Sequence, residues 1–169
     1  MSVDDLLDEN SFSQEKLFDK DKYQTLTISL STDKTYSEDS LDAMINLLNP
    51  NIDREYKDEC LKILKKNNEK KLLINGIMEA EDNLDKAVLL AACWESGLDF
   101  KDEFLFFIET ACHPDYMIAL ESSTVALSME EYYNEDKIIK AIHILESDTK
   151  GNSQIKEDLK SNLLTRIKN

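Results

Sequence analysis

Residues 82–97 read Asp-Asn-Leu-Asp-Lys-Ala-Val-Leu-Leu-Ala-Ala-Cys-Trp-Glu-Ser-Gly. The run from Ala87 to Trp94 is apolar on every side of a helix, and such a helix is expected to be surrounded by protein. Gly97 stands where a left-handed C′ glycine stops a helix. Working outward, a shift of 32 residues in either direction lays this stretch on two others, with corners at Pro50, Asp82 and Pro114. Apolar columns then align: Leu41, Leu73 and Leu105; Leu48, Ala80 and Cys112; Ile52, Leu84 and Tyr116; Tyr56, Val88 and Leu120; Leu61, Cys93 and Val125. A column of small residues, Cys60, Ala92 and Thr124, accompanies them. Self-similarity at a period of this size marks a helical solenoid, in which each unit is helix, corner, helix.

The pattern predicts repeats over about 37–66, 68–97, 101–129 and 134–168. Ser37 is the expected N-cap of the first helix, with Glu38 and Asp39 in its first turn. Leu41, Met44, Ile45 and Leu48 supply its apolar face, and the second helix is expected over about 51–66. Pro50 and Pro114 are expected just inside new helices, where the missing N–H costs nothing. In the last repeat the corner is lengthened by Thr149-Lys150-Gly151-Asn152, after which Ile155, Leu159 and Leu163 continue the columns. The final helix keeps an outer face of Lys156, Glu157, Lys160, Asn162 and Arg166, as a capping repeat would. Residues 1–36 do not obey the repeat and are expected to form an irregular segment; Leu26, Ile28 and Leu30 alternate as in a strand.

Gly and Pro number only 3 and 2, which removes most of the turn signals an all-β fold needs. The expectation is therefore an all-α, right-handed solenoid of about four antiparallel hairpins in one domain. The cysteines, Cys60, Cys93 and Cys112, show no framework spacing and fit reduced thiols in the cytoplasm. The acidic Met1 to Asp5 has no basic region of a signal peptide, and the longest apolar run is too short to span a membrane.

Net charge is −15 and unevenly placed. Residues 72–136 carry 15 acids against Lys86 and Lys101, whereas Arg54, Lys57, Lys62, Lys65, Lys66, Lys70 and Lys71 make 54–71 mildly basic. Binding a phosphate backbone requires clustered lysine and arginine. The acidic middle argues against nucleic acid and anionic lipid as partners, and for a basic protein.

The helix pairs, the Pro or Asp corners and the apolar columns over Ser37 to Lys168 resemble HEAT-like repeat proteins. The segment Leu90 to Phe100 is similar to that of a small bacterial HEAT-like family. The resemblance implies an α-solenoid used as a protein-binding scaffold and brings no catalytic motif. The corner arginine of the family pattern occurs here only as Arg54. Some HEAT-like proteins act on alkylated DNA bases through a basic concave surface; the acidic middle argues against that activity.

No catalytic residue, metal or cofactor is expected. Cys93, Cys112, His113 and His143 match no structural zinc spacing, and an acidic neighbourhood does not activate a thiolate. Glu79, Glu81, Asp82 and Asp85 crowd one corner without the spacing of a calcium loop. The residues that point to a partner are Trp94 and Glu95 at a helix end, and the linker residues Glu130, Glu131, Tyr132, Tyr133, Glu135 and Asp136, where an exposed tyrosine would serve as an interface residue. Core packing between repeats two and three is the ordinary expectation for Trp94. The expected function is non-enzymatic protein binding through an acidic surface on the central repeats. An immunity or inhibitor role against a basic enzyme is the alternative, and a small-molecule or metal-binding enzyme a more distant one.

Overall fold

The computed structural model describes residues 38–129, 134–149 and 153–169. Ser37, the alternating stretch at 26–30, the linker residues Glu130 to Tyr133 and the Lys150 to Asn152 insertion all lie outside the described residues.

Every regular element among them is helical. They are α1 (Glu38–Leu48), α2 (Arg54–Lys66), α3 (Lys70–Glu79), α4 (Asn83–Glu95), a 3₁₀ turn at Lys101–Glu103 that leads into α5 (Phe104–Ala111), α6 (Tyr116–Ser128), α7 (Glu135–Ser147) and α8 (Gln154–Lys168). Consecutive helices pair as α1 with α2, α3 with α4, α5 with α6 and α7 with α8. Between pairs, α4 packs on α6, α6 on α8 and α5 on α7. The first pair departs from this order, because α1 packs against α4. One apolar core runs from Ala43 in α1 to Ile167 in α8.

The corners are built by aspartates. Asp53, Asp82 and Asp115 are the N-caps of α2, α4 and α6, and each carboxylate accepts the backbone N–H groups that the first helical turn leaves without partners. Asp82 takes those of Leu84 and Asp85 at 2.8 and 3.2 Å, and Asp115 takes those of Met117 and Ile118 at 2.9 and 3.2 Å. Asn134 and Ser153 cap α7 and α8 in the same way. Pro50 and Pro114 therefore do not lie inside helices as expected; they stand in the turns before the capping aspartates.

The caps are unevenly spaced, so a uniform shift loses register. Counted from the caps, Cys60, Leu89 and Ser122 are equivalent, as are Leu64, Cys93 and Ala126, and all six are buried. The column of Ile52, Leu84 and Tyr116 fails for this reason: Ile52 is buried, but Leu84 and Tyr116 are exposed. In α8 the stripe is likewise rotated, with Lys156, Leu163 and Ile167 inward and Ile155 outward.

Two helix ends adopt the left-handed region. Gly97 follows α4 with φ +63°. Asn68 follows α2 with φ 54°; the Glu69 N–H reaches the Leu64 carbonyl at 3.0 Å and the Asn68 N–H the Lys65 carbonyl at 3.1 Å, which is a Schellman arrangement with asparagine in the glycine position.

Candidate functional site

The helix that reads as apolar all round is not surrounded. In α4 the buried residues are Ala87, Leu89, Leu90, Ala92 and Cys93, which face α1, α3 and α6. Leu84, Val88 and Ala91 fall on the remaining side at helical spacing; Leu84 is exposed, while Val88 and Ala91 are half-buried and Val88 packs against the core. Leu84 is 60% exposed. In α6 the buried set is Ile118, Ala119, Ser122, Ser123, Val125 and Ala126; Leu120, Thr124 and Leu127 are half-buried, Leu127 still packing against the core, and Met117 is 49% exposed.

The two outward stripes are neighbours. The Asn83 side-chain amide at the start of α4 donates to the Asp115 carboxylate at the start of α6, at 3.3 Å. At the far end of α4, the Trp94 indole N–H donates to Glu121 Oε2 in α6 at 2.9 Å. These bonds set α4 and α6 alongside each other in the same direction. The Asn83–Asp115 bond also links adjacent corners, at the position in α4 where α2 has Arg54. Arg54 itself stands 4.0 Å from Asp58 within α2.

Trp94 is thus not a core residue. The residue is 42% exposed, and its indole N–H is held by Glu121. It forms one wall of a groove of about 550 Å³ whose other walls are Pro50, Ile52, Arg54, Lys57, Asp58, Leu61 and Glu95. Lys57 Nζ crosses from α2 to Glu95 Oε2 at 2.6 Å, so those two charges neutralise each other at the groove. Glu121 is the one charged side chain of α6 and ion-pairs with none of the described residues.

The acidic candidates fall in two places. Trp94 and Glu95 close α4, whereas Glu135 and Asp136 occupy the first turn of α7, where carboxylates favour the helix N-terminus. No wall of the Trp94 groove comes from α7. Glu130, Glu131, Tyr132 and Tyr133 lie outside the described residues. Much of the acidity of the central repeats is used locally: Asp82 and Asp115 are caps, Glu95 is paired with Lys57, and Glu103 lies 3.9 Å from Lys70. Asp99 accepts the Lys101 backbone N–H at 3.0 Å and approaches its Nζ at 3.1 Å; the backbone bond first, then the ammonium, hold its carboxyl below the ordinary range.

Cys93, Cys112, His113 and His143 do not assemble. Cys93 is buried. His113 shares one groove with Met78, Lys86 and Phe106, while His143 lines another with Glu109, Ile144 and Ser147; half-buried Cys112 stands between them. Burial pushes the Cys60 thiol from its ordinary 9.0 up to about 12. Burial, and then the charge of Glu103, push the Cys93 thiol up as well. Among the described residues no group of three His, Cys, Asp or Glu side chains is placed to hold a metal ion, and no helix is long and apolar enough to cross a membrane.

The outward apolar stripe is the feature that periodicity missed. Counting apolar residues around a helix cannot tell a covered side from an open one. The available signal was Trp94 beside Glu95, an amphipathic ring beside a charge. Comparison with family models, with curated proteins and with solved structures finds no match to this chain.

Proposed function

We propose that this chain is a non-enzymatic protein-binding scaffold: a right-handed, HEAT-like solenoid of four hairpins that docks a partner protein on the open side of α4 and α6. The observation that carries this reading is the exposure of Leu84 and Trp94 on α4 beside Tyr116 and Met117 on α6, with half-buried Val88, Ala91, Leu120 and Leu127 behind them. Of the seven large hydrophobic side chains exposed among the described residues, Leu84, Trp94, Tyr116 and Met117 belong to these two helices. Concentrated apolar exposure of this kind marks interaction surfaces rather than ordinary surface scatter. A half-exposed tryptophan at the end of the stripe is the residue type that anchors interfaces.

The proposed partner carries basic residues beside apolar ones. Glu121 and the acidic remainder of residues 72–136 would attract it and set its orientation, and the basic face of α2 would limit how far it extends. Neither nucleic acid nor a membrane fits this field.

The test is paired substitution on the open side. Leu84→Asp with Met117→Asp should abolish recovery of the partner in a pull-down and leave the melting temperature within a few degrees of the parent. Charge reversal at Glu135 and Asp136 should reduce the association rate and its salt dependence without abolishing binding. Undiminished recovery by the double aspartate variant would place the binding surface elsewhere.

A further inference from the structure

Resting on that reading, we infer that Trp94 and Glu121 together form a subsite for an arginine side chain of the docked partner. The indole N–H points in the plane of the ring, so its bond to Glu121 Oε2 at 2.9 Å sets the carboxylate at the ring edge and fixes the orientation of the ring. A planar cation laid on the exposed face of the indole then reaches that carboxylate without leaving the ring. Guanidinium meets both demands, because it stacks flat on an aromatic face and presents several N–H donors in one plane. Lysine, a compact and strongly hydrated point charge, can sit over the ring but cannot stack flat on it while reaching the carboxylate.

The charges around the site favour a cation. Glu121 has no ion-pair partner among the described residues, and α6 has neither lysine nor arginine. On the α2 side, Lys57 is already matched by Glu95 at 2.6 Å, and Arg54 lies beside Asp58. The apolar neighbours are the open stripes of α4 and α6 and, in the groove, Ile52 and Leu61. The occupant is therefore a partner segment that presents one arginine next to apolar side chains.

Trp94 is the single tryptophan of the chain, so its emission reports this site alone. The probes are three fluorescein-labelled amphipathic peptides that are identical except for a central arginine, lysine or glutamine and carry leucines along one face. Peptide anisotropy reads binding anywhere on the protein; Trp94 emission reads binding at the subsite. The arginine peptide should bind about tenfold more tightly than the glutamine peptide, with lysine between, as a cation–π contact plus a charge-assisted hydrogen bond implies. It should also shift Trp94 emission. Glu121→Gln retains an acceptor for the indole N–H and should remove the carboxylate's share of the preference, bringing arginine level with lysine, without changing the melting temperature; an unchanged arginine preference overturns the role of Glu121. If all three peptides bind equally, or bind with Trp94 silent, the arginine subsite is overturned, and docking on α4 and α6 stands only if Leu84→Asp with Met117→Asp abolishes that binding. If none of them binds, both are overturned.

Discussion

Gly76 and Gly97 are glycine for opposite reasons. Gly97 has φ +63°, a conformation in which a Cβ is strained whatever the surrounding space. Gly97→Ala should destabilise the fold by about 1 kcal/mol in urea unfolding. Gly76 lies inside α3, where alanine would ordinarily be better by about 1 kcal/mol. Here a Cβ would come within 2.6 Å of Leu41 Cδ1 and 3.1 Å of Leu89 Cδ1, so α1 and α4 close on it from two sides. Both leucine ends would have to move within a packed core, at a typical cost of about 1–3 kcal/mol, which outweighs the gain in propensity. Gly76→Ala should therefore lower the melting temperature; a rise would show that the leucines turn aside freely. The buried thiols give a pH dependence with a definite sign. Cys60 and Cys93 stay protonated in the folded chain, whereas in the unfolded chain they ionise near the ordinary 9.0. Over that interval the folded state binds more protons, so stability falls as pH rises from about 9.0 toward about 12, the folded value for Cys60. A Cys60→Ala, Cys93→Ala variant should show a shallower alkaline decline than the parent. At neutral pH a thiol reagent should label at most Cys112 before unfolding.

At the scale of the element, α4 decides most of the account. Ala92 is buried at its centre, and Ala91 is half-buried on the side that carries exposed Leu84. Ala92→Glu should cost several kcal/mol, because it places an unpaired carboxylate in the core. Ala91→Glu should cost clearly less in the same measurement, because from a half-buried position the carboxylate can reach solvent. Equal losses would mean that the open side is covered. The same helix shows what sequence can and cannot convey. The limits of α3, α4 and α7 were legible within a residue or two, because apolar periodicity, a polar corner and Gly97 all mark the same boundaries. Burial on the inward side was legible for Leu73, Ala92, Cys93 and Val125. The exposure of Leu84 was not, because it is as apolar as its buried neighbours, and exposure depends on which helices arrive alongside. The prolines misled for a local reason: a proline suits the first helical position, but at Pro50 and Pro114 an aspartate follows and takes the capping role instead.

Over the whole molecule, the charge imbalance read from the sequence divides into parts with different work. Aspartates at the corners cap helices, Glu95 and Glu103 lie near lysines of α2 and α3, and Glu121 holds Trp94. The candidate surface is consequently less an acidic face than an apolar one edged with acid. Its helices lie side by side through their buried faces, with Asn83 meeting Asp115 at one end and Trp94 meeting Glu121 further along. Site-specific photo-crosslinking tests this claim most directly. A crosslinker is placed in turn at Leu84, at Met117 and at Ile139, which is 58% exposed but belongs to α7. Leu84 and Met117 should capture one and the same protein, Ile139 should capture nothing comparable, and Trp94→Ala should weaken both adducts. Capture from Ile139 alone, or equally from all three positions, would contradict it.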